Sequence, residues 1–205
     1  TFAANRRKLA GRYLDDEQVL RILSNLVGGG VDTTTALSSM ALQLLAARPD
    51  LRRQLVDDPG LYVTATDEFL RYTTVNQMLS RPVTKDVELD GQQLRKNDRV
   101  LISWLAANHD ADEFERPEAI VLDRSPNRHV AFGLGPHRCI GSHLARMMFE
   151  VILRGVLDRL PDYVIDDDAI ECYSGNPAMT GVVKLPCRFT PGAVVGAVMP
   201  PGRMG

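Results

Sequence analysis

Three cysteines in 205 residues, Cys139, Cys172 and Cys187, are too few and too scattered for a disulfide framework. None sits in a CxxC pair, which argues against a structural zinc site. Such sparse usage fits a reducing compartment, and the expectation is a cytoplasmic protein. No apolar run reaches the roughly 18–20 residues a membrane-spanning helix needs, and no signal-peptide pattern opens the chain. An excess of either charge is also missing. With 24 Lys+Arg against 26 Asp+Glu the net charge is −2, which gives no reason to expect a nucleic-acid partner. Internal repeats are absent.

What is present is ordinary for a globular protein, 44% hydrophobic and 24% charged residues. The opening TFAANRRKLAGR, without Met or a compact element, reads as a lead-in over residues 1–14. Acidic residues at Asp15-Asp16-Glu17 then mark a helix N-terminus, as cap and dipole partners. From there to Ala47, Leu20, Leu23, Val27, Val31, Leu37, Met40 and Leu44 trace much of one helical stripe. A helix of about 30 residues spans ~45 Å and must cross the whole core. It carries Gly28-Gly29-Gly30 in its middle, each costing about 1 kcal/mol relative to Ala, which invites a reason such as close approach of a ligand.

Further along, the patterning predicts a short helix near Pro49–Val56 and another from about Leu61 to Tyr72. Strands follow at Val87–Leu89, Gln93-Leu94 and Val100–Leu105. Residues 108–127 read as a meandering loop. Leu144, Met147, Met148, Val151, Leu153 and Leu157 mark a second long helix, closed by Leu160-Pro161. Val182–Leu185 and Arg188-Phe189 suggest a terminal hairpin, and the last stretch, from 191 to 205, a tail that is disordered or not native. The fold class is mainly α with small β-sheets.

The chemistry concentrates in AFGLGPHRCIG, residues 131–141. A cysteine just before a helix faces the positive end of the helix dipole and unpaired backbone N–H groups, and both favour thiolate. The glycines let backbone N–H groups approach the sulfur, and Pro136 stiffens the turn. A thiolate so held suits nucleophilic catalysis or soft-metal ligation. His137, two residues away, is poorly placed as its general base.

The pattern F-G-x-G-x-H-x-C-x-G, here Phe132, Gly133, Gly135, His137, Cys139 and Gly141, resembles the haem-binding loop of the cytochrome P450 family. The resemblance implies that Cys139 is the proximal thiolate ligand of the iron of haem b, which favours O–O cleavage. It implies Phe132 packed beside the thiolate and His137 at a haem propionate. Gly29-Gly30-Val31-Asp32-Thr33-Thr34 is similar to the oxygen-binding groove of the family's long helix. There Thr33 would hydrogen-bond activated oxygen and Asp32 would relay protons. Read without the resemblance, Thr33 is a hydroxyl bonded back to its own helix.

Glu68-Phe69-Leu70-Arg71 resembles the family's E-x-x-R signature, a buried network tying this helix to the meander. Arg124 or Arg116 is the third partner, because Ala119 stands where many members carry Arg. Arg81, ahead of the first predicted strand, resembles the family's arginine at a haem propionate. Arg138, His143 and Arg146 face outward from the cysteine helix, as a patch for an acidic ferredoxin or as solvated charges. His109 and His129 read as surface or loop residues, Cys172 and Cys187 as structural thiols, and Met147-Met148 as core.

The resemblance runs from about Asp15 to Phe189 and covers only the C-terminal half of the family. A fragment, or a chain completed by a partner or by self-association, is therefore expected. Substrate contacts are expected from Leu26–Thr33, Thr74–Leu79 and Asn176–Thr180. What the resemblance implies for function is a monooxygenase acting on a lipophilic substrate with electrons from NAD(P)H through ferredoxin reductase and ferredoxin. The alternative is a truncated chain that binds haem weakly or not at all.

Overall fold

The computed structural model describes residues 8–9, 12–175 and 177–192. Residues 193–205 of the tail predicted over 191–205, and Asn176, lie outside them. Lys8–Leu9 (β1) and Arg12–Tyr13 (β2) form a short antiparallel ladder, so part of the expected lead-in is paired. Helix α1, Asp16–Ala47, then runs unbroken for 32 residues through all three glycines. Its start is a capping box: Gln18 N–H donates to Asp15 Oδ1 at 2.8 Å, and Asp15 N–H donates to Gln18 Oε1 at 3.1 Å. Pro49 sits in the first turn of α2, Pro49–Asp57, where a missing N–H costs nothing.

Helix α3, Tyr62–Thr73, follows. Four strands come next: Met78–Pro82 (β3), Val87–Leu89 (β4), Gln92–Leu94 (β5) and Arg99–Ser103 (β6). β3 was not legible in the sequence. It pairs antiparallel with β6, placing Arg81 opposite Val100, so Arg81 lies within the first strand of this region rather than before it. The expected strand to Leu105 is cut short because Ser103 Oγ accepts the Ala106 N–H and caps helix α4, Trp104–Asn108.

Helix α5, Ser142–Arg159, is followed by Val164–Ile165 (β7), Glu171–Cys172 (β8), Val182–Lys184 (β9) and Cys187–Arg188 (β10). The predicted hairpin between the last two segments does not form. β9 pairs with β8, and β10 pairs with β7. Pro186 separates them, and its carbonyl accepts the Asp166 N–H at 3.1 Å.

The core lies where α1, α3 and α5 meet. Leu45, Leu55, Ala65, Phe69 and Phe149 are fully buried there, and the Phe69 and Phe149 rings meet edge to face at 5.8 Å. The predicted α1 stripe is covered only from Thr34 onward. Leu20, Leu23, Val27 and Val31 are exposed, the last three around a shallow apolar depression that Leu144, Met148 and Ile152 of the last long helix also line. Met147 and Met148, expected in the core, are exposed on α5 as well.

Beside the core lies a buried ion network. Glu68 accepts from Arg71 Nε (2.9 Å), Arg71 Nη2 (2.9 Å), Arg124 Nε (3.0 Å), Asn127 Nδ2 (3.0 Å) and the Val121 N–H (2.8 Å). Arg71 sends its remaining N–H bonds to the carbonyls of Asn108, Pro117 and Ala119. Arg116 contributes a backbone carbonyl to Arg124 and pairs its own side chain with Glu115 at the surface. Both charged side chains of the central pair are fully buried, so the meander between 108 and 127 is anchored by these hydrogen bonds together with its own buried Phe114 and Leu122.

Burial alone would raise the Glu68 pKa, but the bonds from Arg71, Val121 and Arg124 outweigh it and hold the pKa below its ordinary 4.5. A depressed carboxylate contributes stability that is present above its unfolded value and lost as pH falls through the folded one. The unfolding free energy is therefore expected to decline as pH drops below about 4.5, with a shallower decline in Glu68→Gln, measured by denaturant titration across that range. Phe149→Ala is expected to cost about 3–5 kcal/mol in the same assay at neutral pH.

Candidate functional site

A cleft of about 340 Å³ opens between α1, the β3–β6 ladder and the loop before α5. Its floor is the loop that carries Cys139. The Gly133 N–H donates to the Val130 carbonyl at 2.8 Å, and the Cys139 N–H donates to the Phe132 carbonyl at 2.9 Å. Gly133 and Gly135 both have φ +68, a left-handed conformation that is strained for other residues. Residues 135–137 make one 3-10 turn with Pro136 inside it. A side-chain carbon added at Gly141, the N-cap of α5, would touch Cys139 Sγ at 3.8 Å. The sulfur thus sits over the start of α5, where backbone N–H groups and the dipole favour an anion. Cys139 is exposed and reduced.

The structure brings most of the predicted site residues together. Phe132, Gly133, His137, Cys139 and Gly141 line the cleft from the loop, Gly29 and Thr33 from α1, and Arg81 from β3. The Arg81 guanidinium makes one hydrogen bond among the described residues, to the Ser80 carbonyl next to it at 3.0 Å. Side-chain carbons added at Gly29 or Gly30 would meet nothing within 4 Å, so these glycines leave the helix backbone bare toward the cleft. The Thr33 hydroxyl donates to the Gly29 carbonyl at 2.7 Å. Asp32 is exposed and does not line the cleft; neighbouring helix positions point about 100° apart.

Of the expected substrate-contact segments, Leu26 and Gly30 on α1 and Val75, Asn76 and Leu79 after α3 reach the cleft. Thr74 does not. It is buried with φ +38, its hydroxyl donates to the Arg71 carbonyl at 2.6 Å, and it accepts from Asn108 Nδ2 at 2.8 Å. Of the last segment, Met179 bridges to Asn76 but lines no part of the cleft.

His129 lies on a loop as expected, but its side chain is buried against Asp67, and Arg146 is half-buried against the same carboxylate, leaving Arg138 and His143 exposed. His109 is half-buried against Tyr72. Trp104, the only tryptophan, lines the cleft and was missed in the sequence. Its one signal was its position directly after a strand, and a lone Trp there reads equally as core.

The cleft thus combines one soft sulfur on its floor, mostly apolar walls, a half-buried guanidinium and a bare helix backbone opposite the sulfur. No helix of the described residues is long and apolar enough to cross a membrane.

Known proteins resemble this chain in sequence and in fold. Residues 61–169 match the family described as Cytochrome P450. The 20-oxo-5-O-mycaminosyltylactone 23-monooxygenase of Streptomyces fradiae is 41% identical over 177 residues, which cover 86% of this chain and 42% of that protein. The steroid C26-monooxygenase of Mycolicibacterium smegmatis is 38% identical over 184 residues, covering 90% of this chain and 46% of that one. The crystal structure of CYP109E1 from Bacillus megaterium with testosterone superposes with a TM-score of 0.83 at 32% identity, over 90% of this chain and 51% of that chain. The chain spans about half the length of the curated relatives it matches. By sequence match and by fold, it belongs to the cytochrome P450 family.

Proposed function

We propose that the protein carrying this chain is a haem-thiolate monooxygenase. The observation that carries the reading is the single exposed thiol on the floor of an apolar cleft, over a helix N-terminus and across from a helix stripped of side chains. The donor set fits haem b. Cys139 offers the soft anionic ligand, Phe132 and Leu134 offer apolar walls, and Arg81 and His137 at the same cleft are suited to propionates. Bound there, the haem would supply dioxygen activation.

The chain's own residues then have defined tasks. The start of α5 and the glycine loop present Cys139 Sγ to the cleft as the ligand. Gly29 and Gly30 leave space next to the α1 backbone for a diatomic ligand and the reacting part of a substrate. Thr33 holds its proton at Oγ1 against the Gly29 carbonyl, and rotation of that hydroxyl redirects the proton into the cleft. Asp32, exposed to solvent, exchanges protons with bulk water near that position. In the net reaction one oxygen atom enters a C–H bond of the substrate and the other leaves as water. NAD(P)H supplies two electrons through a reductase and a ferredoxin, and the medium supplies a proton. The apolar walls favour a lipophilic substrate.

One observation favours the second reading, a 205-residue chain that alone holds haem weakly: the N-terminal half of α1 presents Leu20, Leu26, Val27 and Val31 to solvent. The reduced, CO-bound absorption spectrum separates the two. The red-shifted Soret band for which the family is named is expected from the haem-loaded protein and lost in Cys139→Ser; its absence from the parent overturns the reading. Thr33→Ala is expected to keep consuming NAD(P)H while forming less product per electron. Unchanged coupling overturns the role given to Thr33.

A further inference from the structure

Asp67, directly before Glu68, heads a second network that the monooxygenase reading leaves unused. Its Oδ1 accepts from Arg146 Nε at 2.6 Å, reaching from α3 to α5. It also faces His129 Nε2 at 3.2 Å. His129 Nδ1 accepts the Ala131 N–H at 3.2 Å, which leaves Nε2 as the ring atom that donates to Asp67, and Arg146 Nη2 lies 3.4 Å from that same Nε2. The His129 side chain is 3% exposed, that of Asp67 32% and that of Arg146 29%. Burial would raise the Asp67 pKa, yet the bonds from His129 and Arg146 more than offset it and hold it down.

The network ends on the cysteine loop. The Arg146 guanidinium lies 4.7 Å from the centre of the Phe132 ring, and the His129 ring lies 6.0 Å from it. The Phe132 carbonyl is the acceptor for the Cys139 N–H, so whatever seats Phe132 seats the thiol loop. Arg146 has no other carboxylate partner among the described residues.

We propose that Asp67, His129 and Arg146 are positioning residues for the thiolate site. Asp67 holds Arg146 against Phe132 and cancels its charge, so that the loop bearing Cys139 is stacked on a compensated ion pair rather than on a free cation. This rests on the haem-thiolate reading. In a partly buried setting a charge is screened far less than in water, so uncompensating either member changes the potential felt at the cleft.

The test is spectroelectrochemical titration of the haem-loaded protein and its variants, together with the reduced–CO spectrum. Asp67→Asn keeps the shape and the hydrogen-bond acceptor but frees the Arg146 cation, and the reduction potential is expected to rise. Arg146→Gln frees the Asp67 carboxylate, and the potential is expected to fall. The double variant is expected to return toward the parent value, with the thiolate band retained throughout. Shifts in the same direction, as general loosening of the loop gives, overturn the inference. Unchanged potentials with an intact parent band overturn it alone, whereas a parent without that band removes the haem-thiolate reading and the inference together. Should Asp67→Asn fail to fold, Arg146→Lys decides: a potential near the parent's supports charge compensation, and one as low as that of Arg146→Gln overturns it.

Discussion

The carboxylate of Glu68 is the point on which this structure turns. It is fully buried and accepts hydrogen bonds from two arginines, an asparagine and a backbone N–H. A buried charge is tolerable only when paired and saturated, and removing one partner of such a pair leaves an ion stranded at a cost of about 3–5 kcal/mol. The segment from 108 to 127 buries Phe114 and Leu122, and its backbone polar groups need anchors as well. It takes its shape from Arg71, whose guanidinium gathers the carbonyls of Asn108, Pro117 and Ala119. Arg71 also fixes Asn108, and Asn108 Oδ1 accepts the Val130 N–H at 2.7 Å. The thiol loop is therefore tied to the ion network through one buried amide.

That linkage explains how an exposed, glycine-rich loop can serve as a rigid platform. Glycine supplies the φ values that the turn needs but no rigidity. Rigidity comes from beneath: Asn108 bonded at Val130, His129 and Arg146 bonded at Asp67, and Phe132 packed beside the core. The adjacent residues Asp67 and Glu68 thus send two separate networks from one turn of α3. That of Glu68 organises the meander, and that of Asp67 reaches the cysteine helix. The opposite wall of the cleft is built differently. It is the glycine-bearing turn of α1, held by burial of the same helix further on, from Thr34 to Leu45.

Much of this was legible in the residues. The 3.6-residue periodicity, the Asp15 cap and the Pro49 and Pro161 punctuation placed the long helices, since each is a local signal. Phe132, Cys139, Glu68 and Arg71 were singled out by motif, and Arg81 by its place before a proline. What failed failed for non-local reasons. β3 carries no alternation and ends in Pro82, so only its pairing with β6 makes it a strand. Val182–Lys184 and Cys187–Arg188 look like the two arms of a hairpin, yet each pairs with a strand of the segment before. Arg146 read as a patch residue or a solvated charge because an ion pair between residues 79 positions apart, Arg146 and Asp67, leaves no trace in local spacing.

The sequence by itself determined the long helices, the residue pattern of the thiol loop and the family, because these depend on short-range periodicity and on residue types at fixed offsets. Tertiary structure alone decided which charged groups are buried and which polar residues face the cleft. Thr33 faces it and Asp32, one position away, does not. Thr74 is a buried joint while its neighbour Val75 is a wall. Such outcomes depend on the direction of each side chain relative to elements distant in the chain, and burial is a property of what packs against a residue rather than of the residue itself.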